Sequence, residues 1–94
     1  MADKAQFANI TTATTTTVKT GYGTLVRIVV NKAVLSGVIT IYDNTAGSGT
    51  KIGTITYGAA LLTDPPIEAT YDCQFTIGLT IVTSTATDIT VVTR

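Results

Sequence analysis

Ninety-four residues, with six basic and six acidic side chains and no histidine, make a small chain of zero net charge. That length fits one domain, there is no basic run for phosphate-driven binding to nucleic acid, and no apolar run approaches the roughly 20 residues that span a bilayer. Without histidine the chain lacks the usual general base near neutral pH and the commonest metal ligand, so neither a Ser–His–Asp nor a Cys–His arrangement can be built.

Threonine is the outlier, at 22 of 94 residues. Its β-branched stem and hydroxyl suit a strand that faces water. Charged residues are only 13% of the chain, about half the usual share. So neutral a skin favours an assembled protein over a free monomer.

Residues 1–9, MADKAQFAN, have no apolar core of the signal-peptide kind. They are read as a flexible docking arm ahead of a single domain over residues 10–94, and a cytoplasmic origin follows. Residues 10–19, ITTATTTTVK, favour extended structure but have few apolar anchors to set register. An edge strand is expected there, with a linker as the alternative, and Gly21-Tyr22-Gly23 breaks the run.

Residues 24–31, TLVRIVVN, form the strongest strand, with Val26, Ile28 and Val30 on one face and Leu25, Arg27 and Val29 on the other. Arg27 is expected to snorkel to a sheet edge, or to meet a carboxylate across a subunit contact. Residues 31–37 turn the chain. Residues 38–57, VITIYDNTAGSGTKIGTITY, read as a hairpin. Gly47 and Gly49 are expected to supply positive φ, and Asp43 and Asn44 to bond local backbone. Ile39 and Ile41 fall on one side of its first arm, Val38, Thr40 and Tyr42 on the other.

Residues 58–68, GAALLTDPPIE, are the least strand-like segment, because Asp64-Pro65-Pro66 cannot form a central strand or a helix interior: prolines remove donors and restrict their neighbours. They are expected to cross between sheets, with a short helical turn over 59–62. In residues 69–76, ATYDCQFT, the residues Tyr71, Cys73 and Phe75 alternate inward with Asp72, Gln74 and Thr76 outward. Cys73, the sole cysteine, reads as a small buried hydrophobe. Gly78 marks a turn or bulge, residues 79–83 are expected to pair back, and residues 88–93 close the chain. Seven or eight short strands with regular turn signals predict an all-β fold, a small antiparallel β-sandwich of jelly-roll-like or immunoglobulin-like order.

The search for chemistry assigns no catalytic, cofactor-binding or metal residue. Glu68 and Asp72 could approach each other, but they flank a loop-to-strand junction with little room for a cleft. Asp43-Asn44-Thr45 does not have the spacing of an EF-hand, and turns favour Asp and Asn for backbone reasons alone. Residues 47–51, GSGTK, lack the first glycine of a phosphate loop and precede a strand. Tyr22, Tyr42 and Tyr57 are read first as packing residues and second as outward contacts. Leu25, Val29, Val38, Tyr42, Val82 and Val92 fall opposite the obvious core set. On a chain this poor in charge they predict an interface with another copy or another protein.

Three segments carry a resemblance: GYGTLVRIVVN (21–31), ITIYDNTAGSGTKIGTI (39–55) and FTIGLTIVTSTATDITVVTR (75–94). In them the chain resembles a family of small all-β virion structural proteins of tailed bacteriophages and prophages, close to capsid decoration (cement) proteins. The resemblance implies a non-enzymatic role without cofactors, at the virion. It implies contact with the major capsid protein or another virion protein, and a homo-oligomer, with a trimer favoured. From the lack of a basic run and of a bilayer-length apolar run, no nucleic-acid or membrane partner is expected. The alternative within the same class is a tail, neck or head-fibre module that binds a receptor or glycan, for which Tyr22 in its Gly-Tyr-Gly turn is the one fitting residue.

Overall fold

The computed structural model describes residues 6–32, 37–56 and 67–94. Residues 1–5 of the expected arm, the centre of the 31–37 turn, Tyr57 and the Pro65-Pro66 connection lie outside the described residues. The described residues form eight strands: β1 (Gln6–Ile10), β2 (Thr15–Thr20), β3 (Gly23–Lys32), β4 (Val38–Asp43), β5 (Thr50–Thr56), β6 (Ile67–Phe75), β7 (Gly78–Thr83) and β8 (Asp88–Thr93). They make two four-stranded sheets, ordered β1-β8-β3-β6 and β2-β7-β4-β5.

Pairing explains this order. β4 pairs with β5, β3 with β6, β2 with β7 and β1 with β8, all antiparallel. The pairs are nested, so the chain is one long ribbon doubled back at the β4–β5 turn. Rolling the ribbon brings β3 against β8 and β4 against β7, which completes both sheets. This double Greek-key wrap is a jelly roll, and the immunoglobulin order is excluded.

The inner faces meet in a single apolar layer. Ile10, Leu25, Ile28, Val30, Ile39, Ile41, Phe75, Leu79, Ile81, Ile89 and Val91 form it, with Val18, Ile52, Ile55, Tyr71 and Cys73 packed partly buried around it. Period-two alternation accounts for most of these positions: Leu79, Ile81 and Thr83 turn inward from β7, and Ile89, Val91 and Thr93 from β8. Burying each large aliphatic side chain contributes about 1.5–3 kcal/mol.

Four expectations need correction. The arm is shorter at its inner end, because Gln6–Ile10 pairs with β8 and Ile10 anchors it in the core. The threonine run is not one strand: Ile10 ends β1, and residues 11–14 cross to the other sheet before β2 begins. Buried Thr83 holds this crossing, donating from Oγ1 to the Thr12 carbonyl at 2.6 Å and accepting from the Thr14 N–H at 3.1 Å. β7 does not pair back on β6, since the turn between them changes sheet.

The fourth correction concerns β3. Leu25 pairs with Thr93 and Arg27 with Val92, so Val26 is one extra residue relative to β8. Such a bulge reverses side-chain parity. Leu25 therefore points inward with Ile28 and is 0% exposed. Val26 is buried but stands outside the main core cluster.

Candidate functional site

The six residues expected at an interface do not form one surface. Leu25 belongs to the core. Val29 and Val92 are partly exposed on the outer face of the β1-β8-β3-β6 sheet, and Val38, Tyr42 and Val82 on the outer face of the other sheet. Two outward groups thus sit back to back across the sandwich.

On the second sheet the β4–β5 hairpin turn folds over the neighbouring strands β7 and β2. Thr80 donates from Oγ1 to the Asn44 carbonyl at 2.8 Å, and Thr17 donates to the Thr45 carbonyl at 3.2 Å. A Cβ built on Gly47 would lie 2.9 Å from Val82 Cγ2 and 3.3 Å from Thr15 Cγ2. Val82 is therefore roofed by residue 47 of its own chain. Only Gly49 of the two turn glycines takes positive φ, at 97°; Gly47 is needed for its close approach instead. Asn44 closes the turn, donating from Nδ2 to the Ser48 carbonyl at 2.7 Å and accepting from the Thr45 N–H at 2.8 Å.

Asp43 serves a different turn from the one its position suggests. Its Oδ1 accepts from the N–H groups of Thr76 at 3.0 Å and Ile77 at 2.9 Å, and its Oδ2 accepts from the Thr76 hydroxyl at 3.2 Å. The carboxylate so caps the β6–β7 corner where the chain changes sheet. The N–H donors, Ile77 first and Thr76 next, hold its pKa below the usual carboxylate value. Burial pushes the Cys73 thiol up, helped by the carboxylates of Asp43 and Asp72, so at neutral pH it stays protonated. Cys73 is partly rather than fully buried.

The first sheet carries the more open face. Pairing places Phe7 beside Val92, and Val92 beside Arg27. Phe7 is 75% exposed, on an edge strand, with Val29 one step further along the same face. Arg27 Nε lies 2.6 Å from Glu68 Oε2 on β6. The two meet as charges, without the N–H alignment of a hydrogen bond. Arg27 thus finds its carboxylate, Glu68, within its own chain. Beyond this pair, Asn9 and Asn31 donate to Asp88 Oδ1 at 2.8 and 3.2 Å. These amides, Asn9 first, lower the Asp88 pKa. Phe7 escapes a reading that assigns residues 1–9 to an arm; its signal is the alternation of Phe7 and Asn9 with Ala8 and Ile10.

A hollow of about 640 Å³ opens at one end of the sandwich, lined by Lys19, Tyr22, Gly23, Thr24, Gln74 and Arg94 among others. Tyr22 is 72% exposed there, and Ile77 on the neighbouring turn is 55% exposed. Among the described residues, no three of His, Cys, Asp and Glu gather to hold a metal ion. No family model, no curated protein and no solved structure matches this chain.

Proposed function

We propose that this chain is a non-catalytic contact protein, a structural component of a phage-type virion that binds the outside of a capsid shell. The exposed Phe7 carries the reading. It stands beside Val92 on a face that also carries partly exposed Val29, the internally neutralised Arg27–Glu68 pair and the polar cluster of Asn9, Asn31 and Asp88. A large aromatic ring in water on an edge strand is what a partner covers. The low charge of the chain supports the same reading, as does the likeness of residues 21–31, 39–55 and 75–94 to small virion proteins. That likeness rests on those segments alone, and no family model or curated protein matches the chain beside it. The jelly-roll wrap is shared by capsid and lectin domains and does not choose between them.

The test is cosedimentation of the purified chain with assembled empty heads of the source phage. The chain pellets with the shells, and Phe7→Asp remains in the supernatant while its unfolding midpoint is unchanged. Failure of the unaltered chain to pellet overturns the capsid role. Light scattering then reads the oligomer, with a trimer expected.

A further inference from the structure

The hollow beneath Tyr22 has the makings of a ligand site separate from the outer sheet face. Its volume, about 640 Å³, lies within the range of small-molecule sites. Two cations line it, Lys19 and Arg94, and no carboxylate side chain does. Among the described residues the only ion pair is that of Arg27 with Glu68, so neither cation has an acidic partner there.

The site is also held in shape. Gly21 takes φ 86°, a conformation open to glycine, and its N–H donates to the Ile77 carbonyl at 2.9 Å. This fixes the turn that lifts Tyr22 into solvent. Gly23 forms part of the wall: a Cβ built on it would meet Phe75 Cζ at 2.7 Å and Lys19 Nζ at 3.1 Å. The missing side chain leaves room for the core ring, the Arg94 carbonyl oxygen and the Lys19 ammonium group together. Thr24 N–H and C=O bond to Arg94 C=O and N–H at 3.0 and 2.9 Å, which ties the backbone of residue 94 to the rim.

We infer that this hollow binds a carboxylated sugar unit, with Lys19 and Arg94 taking the carboxylate and the Tyr22 ring lying against the apolar face of the pyranose. Gln74 and Thr24 line the same hollow and bring an amide and a hydroxyl to meet ring hydroxyls. A guanidinium and an ammonium recognise a carboxylate by charge-assisted hydrogen bonds. An aromatic ring with exposed faces supplies apolar contact area at little cost in conformational freedom. A nucleic acid would use the same ring for stacking, but its affinity comes from many phosphate contacts, and two cations on a chain of zero net charge supply few. The inference does not depend on the capsid reading.

The test is a titration of the full-length chain, followed by amide NMR shifts, with trigalacturonate, its methyl ester, sialyllactose, lactose and a short oligothymidylate. At least one of the acidic sugars shifts residues 19–24, 74 and 94 with a dissociation constant of about 1 mM or tighter. Its neutral counterpart, the ester or lactose, binds about tenfold more weakly. Which acid binds distinguishes a uronic from a sialic source. Tyr22→Ala and Lys19→Gln each weaken binding about tenfold, Tyr22→Phe retains it, and Phe7→Asp leaves it unchanged. No shift with either acid at about 10 mM, equal binding of acid and neutral counterpart, or tighter binding of the oligothymidylate to these residues overturns the inference.

Discussion

The phenol of Tyr71 fills the space that a side chain at position 53 would need: a Cβ built on Gly53 would lie 2.7 Å from Tyr71 Oη and 3.0 Å from its Cε1. Tyr71 belongs to edge strand β6 and Gly53 to edge strand β5 of the opposite sheet. The ring therefore closes one open side of the sandwich. Burial there raises its phenol pKa, with a smaller contribution from Cys73. Gly53→Ala displaces the ring and costs about 1–3 kcal/mol, read by urea unfolding. The Tyr71 pKa should fall back toward 10.0 in an ultraviolet titration. In a Gly53→Ala/Tyr71→Ala double variant the losses should be less than additive; full additivity would show that the contact is not what constrains position 53.

Asp43 makes the fold sensitive to acid. Its folded pKa lies below the ordinary 3.8, so its contribution is complete above that value and is lost as pH falls through the lower folded value. Melting temperature should decline over that acidic window, and Asp43→Asn should flatten the decline while lowering stability at neutral pH. Asp88, lowered for similar reasons, adds to the same window. An unchanged acid profile in Asp43→Asn would remove the corner cap as its source.

Thr83 offers a cleaner hydrogen-bond test, because it is buried and its hydroxyl serves the crossing between β1 and β2. Thr83→Val keeps the shape but strands the Thr12 carbonyl and the Thr14 N–H. The expected loss is about 1–3 kcal/mol, with faster amide exchange at residues 12–14. Thr83→Ser should retain most of the stability, and a Val variant as stable as the parent would refute the pinning role.

The Val26 bulge predicts opposite behaviour for two similar residues. Leu25→Ala should cost about 2–5 kcal/mol, as for a fully buried leucine. Val29→Ala, on the outer face, should cost less than about 1 kcal/mol in the free protein. Equal losses would mean that the two share a face after all.

Period-two alternation made much of the core legible. It gave the correct side for Ile39 and Ile41, for Phe75, and for the alternation of Asp72 and Gln74 outward with Tyr71 and Cys73 inward. It failed at Leu25, because no glycine or proline announces the bulge at Val26 and a single extra residue inverts parity. It also failed at the β6–β7 turn. A short turn between two good strands reads as a hairpin, and only the capping of that corner by Asp43, more than 30 residues away in sequence, marks a change of sheet. The hollow gathers Lys19, Tyr22, Gln74 and Arg94 from distant parts of the chain, and Tyr22 alone was legible as a contact residue before the roll brought the others beside it.

The nested pairing has a consequence for how the chain reaches this state. Only β4–β5 joins neighbours in sequence; each further pair spans a longer loop, up to Gln6 with Thr93. Loop closure costs entropy before distant contacts repay it, so such topologies fold slowly, in roughly milliseconds to seconds. The hairpin is the natural starting point, and the remaining pairs zip outward from it. During synthesis neither sheet can be completed until β7 and β8 have left the ribosome, and until then β3 and β4 present unpaired edges to any other strand nearby.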